Sequence, residues 1–295
     1  MRILILGGTG MLGHKMHDVL SRGHDVISTT RTPLSSLSVE GSGFFRRGRL
    51  IEHVDATDLH RLAGLVTENA PDAVINCVGV VKQRMVVRDA HVSISVNALL
   101  PHQLSELCAT HGARMIHFST DCVFSGAKGD YAEDDPSDAT DLYGRTKYLG
   151  EVVDKGALTI RSSIVGRELD HFQSLVEWFL RQRGEVCGFT RAIYTGVTTD
   201  QMALIVNRVL VEHPSLSGLY QVASSKVSKF DLLSLIRERF AMQELVTLVP
   251  DDAFACDRSL RGERFEAATG IEVPSWDRMV TGLAQESGRY GSVRT

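Results

Sequence analysis

Tyr143 and Lys147 stand four residues apart in the stretch DLYGRTKYLGE (141–151). On a helix that spacing makes the two side chains neighbours on one face, where an ammonium can lower the proton affinity of a phenol. An ordinary solvated helix face would carry the same pair, so the surrounding residues decide. Just upstream, HFSTDCVFSG (117–126) follows an apolar run and carries hydroxyls at Ser119 and Thr120. A hydroxyl, a phenol and an ammonium suit carbonyl reduction: the hydroxyl orients a ketone oxygen, a nicotinamide delivers hydride, and the phenol donates the proton. Bringing a free tyrosine from a pKa of about 10 to about 7 takes roughly 4 kcal/mol of differential stabilisation of the phenolate. A nearby ammonium and the positive nicotinamide ring would supply it.

A hydride donor needs a cradle. GGTGMLG (7–13) comes directly after the first apolar run and opens an amphipathic pattern, with Gly7, Gly10 and Gly13 at regular spacing. Glycines there allow a tight turn and a close approach of backbone to a pyrophosphate seated at a helix N-terminus. The strand before and the helix after give the triplet its meaning, although its spacing differs from G-x-G-x-x-G. The second apolar run ends in STTRT (28–32), with Arg31 and flanking hydroxyls in place of a ribose-binding carboxylate. An arginine there suits a 2′-phosphate, so NADP(H) is favoured over NAD(H). Asp55 falls either near the adenine or in a solvated turn.

These groups need a scaffold that gathers strand ends. Apolar runs RILIL (2–6), DVIST (25–29), DAVINCV (72–78), ARMIHFS (113–119) and ALTIR (157–161) alternate with helix-like stretches near 11–22, 57–69, 89–111 and 141–155. Strands buried on both faces read as continuous apolar runs, so the fold class is α/β, a Rossmann-type doubly wound parallel sheet. Ser119 and Thr120 then emerge at the sheet's C-terminal edge, where such sheets bind ligands. Beyond residue 160 the pattern loosens into helices at 170–183, 199–212 and 228–240, a strand at 219–224, and a last helix from Pro-Ser-Trp (274–276). The tail after Gly288 reads as frayed. The expected division is a cofactor domain of residues 1–160, with about 192–222 rejoining it, and a smaller C-terminal substrate-binding lobe of 161–191 and 223–295.

Composition narrows the field. At 295 residues, 43% hydrophobic and 23% charged, the chain has ordinary globular proportions. A net charge of -4 offers no basic footprint, so nucleic acid is not an expected partner. FFRRGR (44–49) is locally basic and reads as a solvated loop. No apolar run approaches the roughly 20 residues that cross a bilayer, and the N-terminus lacks the longer core of a signal peptide, so a soluble cytoplasmic protein is expected. The five cysteines are scattered and form no C-x-x-C pair, which supports neither a disulfide framework nor zinc. His14 and His17 lack a matching carboxylate, and no metal site is expected. No Gly-x-Ser-x-Gly elbow supplies a hydrolase nucleophile.

Four motifs, Gly7-x-x-Gly10-x-x-Gly13, Asn76-x-x-Gly79, Ser119-Thr120-Asp121-x-Val123-Phe124-x-Gly126 and Tyr143-Gly144-x-x-Lys147, together resemble the extended short-chain dehydrogenase/reductases. The forms STD-x-VF-x-G and YG-x-TK-x-x-GE are similar to the dTDP-4-dehydrorhamnose reductase branch. The likeness continues through LTIRSSIVG (158–166), GVTTDQMA (196–203), DRSLRGERF (257–265) and PSW (274–276). The resemblance implies a catalytic group of Thr120, Tyr143 and Lys147. It assigns Gly7, Gly10, Met11, Leu12, Gly13, Arg31, Asp55, Asn76, Val78, Gly79, Asn97 and Ser119 to the cofactor, which Tyr143 and Lys147 also touch. A sugar pocket is expected around Asp121. Lys82, Arg84, Arg191 and Arg258 are candidates for the substrate's diphosphate, since guanidinium forks match phosphate oxygens.

The activity so implied is NADPH-dependent reduction of the C4 ketone of a nucleotide-linked 4-keto-6-deoxysugar. The partner is a small-molecule nucleotide sugar, and a homodimer is among the assemblies the resemblance admits. Three departures border the pocket. Cys122 stands where an aromatic is common, Cys256-Asp257-Arg258 replaces Arg-Pro, and NCVGVVKQR (76–84) lacks the usual small-residue run. Two other readings share the motifs. One is a nucleotide-sugar epimerase or dehydratase, against which the single carboxylate before Cys122 counts. The other is an NADP-binding regulatory partner similar to the regulatory subunit of methionine adenosyltransferase.

Overall fold

Residues 1–80 and 89–291 are described by a computed structural model. Its strands are β1 (Arg2–Leu6), β2 (Asp25–Thr29), β3 (Arg49–Ile51), β4 (Ala73–Asn76), β5 (Arg114–Ser119), β6 (Leu158–Arg161), β7 (Ile164–Val165), β8 (Gly184–Tyr194), β9 (Val197–Thr198), β10 (Gly218–Gln221), β11 (Val227–Ser228) and β12 (Val246–Asp257). The helices are α1 (Gly13–Leu20), α2 (Val39–Ser42), α3 (Leu59–Asn69), α4 (Ala90–Ser93), α5 (Leu100–Thr110), α6 (Leu142–Leu149), α7 (Leu175–Leu180), α8 (Thr199–Glu212), α9 (Lys229–Arg239), α10 (Glu263–Thr269) and α11 (Trp276–Gln285). A π-helical segment, Ile94–Leu99, joins α4 to α5.

A seven-stranded sheet in the order β10-β6-β5-β4-β1-β2-β3 forms the centre, and every pairing in it is parallel. The chain leaves β1 in one direction through β2 and β3 and resumes on the other side through β4, β5 and β6. The switch point therefore lies between β1 and β4, where open α/β sheets form a ligand crevice. Alternation along β1 shows why its run is continuously apolar. Ile3 and Ile5 pack with Met16 of α1 and Val206 of α8 on one face, while Leu4 and Leu6 pack with Leu62 of α3 and Leu104 of α5 on the other. The first of these cores runs on through Val176, Leu232 and Met279, so the C-terminal helices share it.

A second sheet, β11-β8-β12, lies outside the expected pattern. β8 reads GEVCGFTRAIY and β12 reads VTLVPDDAFACD; glycine in one, and Pro250 with three aspartates in the other, hide the strand period. The pairing of β12 with β8 shifts register between Asp251 and Ala255, past that proline. Two expected helices are shorter than their patterns. The 141–155 helix stops at Leu149, with Gly150 at its C-cap packed so close to the Asn97 carbonyl that no Cβ would fit. The 170–183 helix begins only at Leu175, after positive φ at His171 and Phe172 and an N-cap on Ser174. FFRRGR is not a solvated loop throughout: Phe44 is buried and β3 starts at Arg49. The tail after Gly288 is not frayed up to Tyr290, which packs against Phe44. No helix among the described residues is long and apolar enough to cross a membrane.

Candidate active site

The chain turns immediately after β1. Gly7 takes φ +79, a left-handed value that glycine adopts without the penalty of a Cβ. A Cβ on Gly8 would lie 2.6 Å from the Cβ of Ser28, and one on Gly13 would collide with the Gly7 carbonyl. The loop is thus pressed between β2 and the first turn of α1. Gly8 N–H donates to the Thr29 carbonyl at 2.7 Å and Gly10 N–H to the Gly7 carbonyl at 3.0 Å. Leu12, at the N-cap of α1, supplies no side-chain cap, which leaves the helix N-terminus suited to an anion. These residues fit a dinucleotide pyrophosphate. Gly8 was not singled out by spacing, and its neighbour Gly7 drew the attention.

Around the loop, the other cofactor candidates divide into two kinds. Arg31 is exposed just past β2, and the residues closing that strand, Thr29 and Thr30, are buried hydroxyls with no carboxylate among them. Asp55 accepts from the amide and hydroxyl of Thr57 at 2.9 and 2.8 Å. Those bonds, with Arg31 nearby, hold its carboxyl below its ordinary range, so a turn leading into α3 accounts for it. Asn76 closes β4, accepting from Val78 N–H at 3.1 Å. Val78 flanks Gly7, and Gly79 sits beside the Asn97 amide group. Asn97 is buried in the π-helical segment and clamps Val80 from both sides, accepting its N–H at 2.9 Å and donating to its carbonyl at 3.0 Å. It frames the loop after β4.

Thr120 follows β5 and Tyr143 enters on α6. What allows them to meet is Gly144, where any Cβ would collide with the Cys122 carbonyl. Asp141 caps α6 by accepting from Gly144 N–H at 2.9 Å. Thr120 stands beside the Tyr143 phenol and favours its ionised form. Thr120 also donates to Asp121 at 3.1 Å and accepts from Cys122 N–H at 3.2 Å. Lys147 is buried and donates to the Phe118 carbonyl at 2.6 Å. Burial pulls its ammonium down to about 8, partly offset by Glu151. Burial is also the largest influence on Tyr143 and pushes its phenol upward, with Cys122 and Asp121 acting in the same direction and Thr120 against them. In the free protein, burial outweighs the expected downward tuning. Its consequence is a phenol that keeps its proton at neutral pH, the form a proton donor requires.

Ser119 points elsewhere: its hydroxyl donates to Glu151 at 2.6 Å. Glu151 also receives two bonds from Arg161, at 2.9 and 2.7 Å. Both residues stand in the quoted motifs, Glu151 at the end of YG-x-TK-x-x-GE and Arg161 within LTIRSSIVG, but their buried pairing behind Lys147 is a contact across the fold that neither motif reveals.

The C-terminal part closes the other side. Asp257 N–H donates to the Gly126 carbonyl at 2.8 Å and Tyr131 N–H to the Ser259 carbonyl at 2.9 Å, lacing DRSL onto the segment after Thr120. Arg258 donates to the Phe124 carbonyl at 2.8 Å, and its charge acts on buried Asp121, whose carboxyl burial pushes up. Tyr194 joins the same group; burial, Asp121 and Cys256 lift its phenol to about 12. Tyr194 was missed as a pocket residue because β8 was missed, whereas the motif comparison had already put Cys256 at the pocket's border. Arg191 is exposed and, by strand alternation, stands out of phase with Tyr194 on β8. Lys82 and Arg84 lie outside the described residues. No group of histidine, cysteine and carboxylate side chains that could hold a metal occurs among the described residues.

A glycine cradle after the first strand and a Tyr-x-x-x-Lys helix set beside the fifth complete a Rossmann-type, doubly wound α/β fold. Within that class the chain belongs to the family of the RmlD substrate binding domain, whose model matches residues 1–288. A dTDP-4-dehydrorhamnose reductase of Streptomyces griseus is 30% identical over 151 residues, 51% of this chain and 43% of that protein. Methionine adenosyltransferase 2 subunit beta of Xenopus tropicalis is 21% identical over 268 residues, 81% of this chain and 72% of that protein. The match spans about half the length of several such relatives. Among solved structures, dTDP-4-dehydrorhamnose reductase from Bacillus anthracis in complex with NADP has a TM-score of 0.79 at 20% identity, covering 97% of this chain and 99% of that one. The dTDP-glucose 4,6-dehydratase DesIV from Streptomyces venezuelae has a TM-score of 0.78 at 18% identity over 100% of both. At such identities the likeness establishes the fold.

Proposed function

We propose that the protein reduces the C4 ketone of a nucleotide-linked 4-keto-6-deoxysugar, with NADPH as reductant. The observation that carries this is Thr120 set beside Tyr143, with a buried Lys147 on the same helix, at the sheet's C-terminal edge. Bound along the glycine loop, the dinucleotide supplies hydride. Thr120, turning its one proton away from Asp121, donates a hydrogen bond to the ketone oxygen, and Tyr143 gives that oxygen a proton. Lys147 carries the positive charge that steadies the phenolate left behind. Arg258 and Asp121 contact the substrate from the far wall. Arg31, with hydroxyls and no carboxylate at the end of β2, supports NADPH over NADH. The division into a cofactor domain of 1–160 plus about 192–222 and a substrate lobe of the remainder follows the same reading.

A homodimer fits as well. Ile94, Leu99, Tyr148, Leu149 and Val153 are exposed on or just beyond helical segments that pack together, and sedimentation would read the mass directly.

The test is turnover of a panel of nucleotide-linked 4-ketosugars followed by nicotinamide fluorescence. Tyr143→Phe should lose about 10²- to 10⁴-fold in kcat with NADPH affinity nearly intact. A variant retaining most of its activity refutes the mechanism. The wide coverage of the methionine adenosyltransferase subunit favours a second reading, a regulatory NADP-binding partner. Tight dinucleotide binding without turnover of any sugar nucleotide would decide for it.

A further inference from the structure

The segment Glu286–Tyr290 packs onto the first two turns of α1. Lys15, fully buried on that helix, pairs with Glu286 and, at 2.5 Å, with Asp200. Arg289 holds Asp18 through two bonds of 2.8 and 2.9 Å. The Tyr290 ring lies 4.9 Å from Phe44 and 4.8 Å from the Arg167 guanidinium. Its hydroxyl reaches His14 Nε2 at 2.8 Å, and His14 Nδ1 reaches the Gly10 carbonyl at 2.8 Å.

The direction of each bond follows from the groups themselves. A carbonyl can only accept, so Nδ1 carries the proton. His14 is buried and its pKa pulled down to about 3, so the ring is neutral. Its Nε2 is then an acceptor, and the Tyr290 hydroxyl donates to it. The Gly10 carbonyl receives a second bond from the His14 amide at 3.1 Å. A trans peptide points its N–H opposite to its C=O, so fixing the Gly10 carbonyl fixes the aim of the Met11 N–H within the loop.

We propose that Tyr290, acting through His14, is a positioning residue for the dinucleotide: the C-terminal segment sets the aim of the Met11 amide and with it the affinity for the cofactor's pyrophosphate. This rests on the reading of residues 7–13 as the dinucleotide cradle. Linkage makes the effect reciprocal, because a ligand that orders the loop must also tighten the segment that holds it.

Tyr290→Phe keeps the ring between Phe44 and Arg167 and removes only the hydroxyl. NADPH binding to the parent chain and the variant is measured by nicotinamide fluorescence, alongside kcat and the KM for NADPH. The expected result is a Kd and a KM raised about 5-fold, the worth of one hydrogen bond, with kcat at saturating NADPH unchanged. A variant that binds NADPH as tightly as the parent overturns the proposal, whatever its melting temperature. Hydrogen exchange on the unmodified protein is a second measurement that needs no variant. NADPH should slow exchange at 286–290 as well as at 7–16, and protection confined to the loop also overturns it. A parent protein that binds no dinucleotide at all removes the cradle reading first, and the proposal with it.

Discussion

Glu151→Gln tests the buried pair behind the proposed catalytic lysine. The Glu151 and Arg161 side chains are 6% and 1% exposed, joined by bonds of 2.9 and 2.7 Å, with Ser119 donating a third to the carboxylate at 2.6 Å. Glutamine keeps the shape and one acceptor but removes the charge. Arg161 is left with its guanidinium buried over the Phe124 ring, 5.0 Å from the centroid. Removing one partner of such a pair costs about 3–5 kcal/mol, a large part of the roughly 5–15 kcal/mol that holds a domain folded. Equilibrium urea unfolding should show a lower midpoint with an unchanged slope. Because the penalty belongs to the stranded charge, adding Arg161→Met should recover most of it. A loss below about 1 kcal/mol, the level of an exposed pair, would refute the argument. So would a double variant no more stable than Glu151→Gln alone.

Three further outcomes follow from the same geometry. Burial lowers the pKa of Lys147 to about 8, and neutral His117 and Glu151 border it. The ammonium is present below that pH and lost above it, so kcat/KM should be flat through neutrality and fall above about pH 8. A profile still rising at pH 9 would contradict this. The unfolded lysine binds its proton more tightly, so the destabilisation from burying Lys147 is complete below about pH 8 and is relieved as pH climbs towards the free value of about 10.4. Gly144→Ala should lower kcat far more than NADPH affinity, since the new methyl pushes α6 away from the Cys122 carbonyl and separates Tyr143 from Thr120. Equal effects on both would point to general misfolding.

The doubly wound sheet was legible in the sequence because strands covered on both faces are built around short runs dominated by apolar residues. β1, β2, β4, β5 and β6 all read that way, and the periods of 2 and 3.6 needed no partner to be seen. The glycine loop was legible for a related reason: its residues answer to their own backbone, which must turn at Gly7 and pass within contact of Ser28 and the first helical turn. Thr120, Tyr143 and Lys147 were named from spacing taken together with motif likeness, and Asp121 and Arg258 from the likeness. Their electrostatics could not. Whether Lys147 lowers Tyr143 or burial raises it depends on where the Phe118 carbonyl and Cys122 stand, and those are contacts across the fold.

The short-range signals failed wherever stability came from a distant partner. β8 and β12 contain glycine, proline and aspartate that no isolated strand would favour, yet each is held by its pairing with the other, some 60 residues away along the chain. The same holds for the C-terminal residues. Arg289 and Tyr290 read as a tail because nothing near them in sequence needs them, and Asp18, His14 and Phe44 do. A chain's own periodicity determines which elements it can form. Only the folded arrangement decides which charges lose their water, and so which of them set the chemistry.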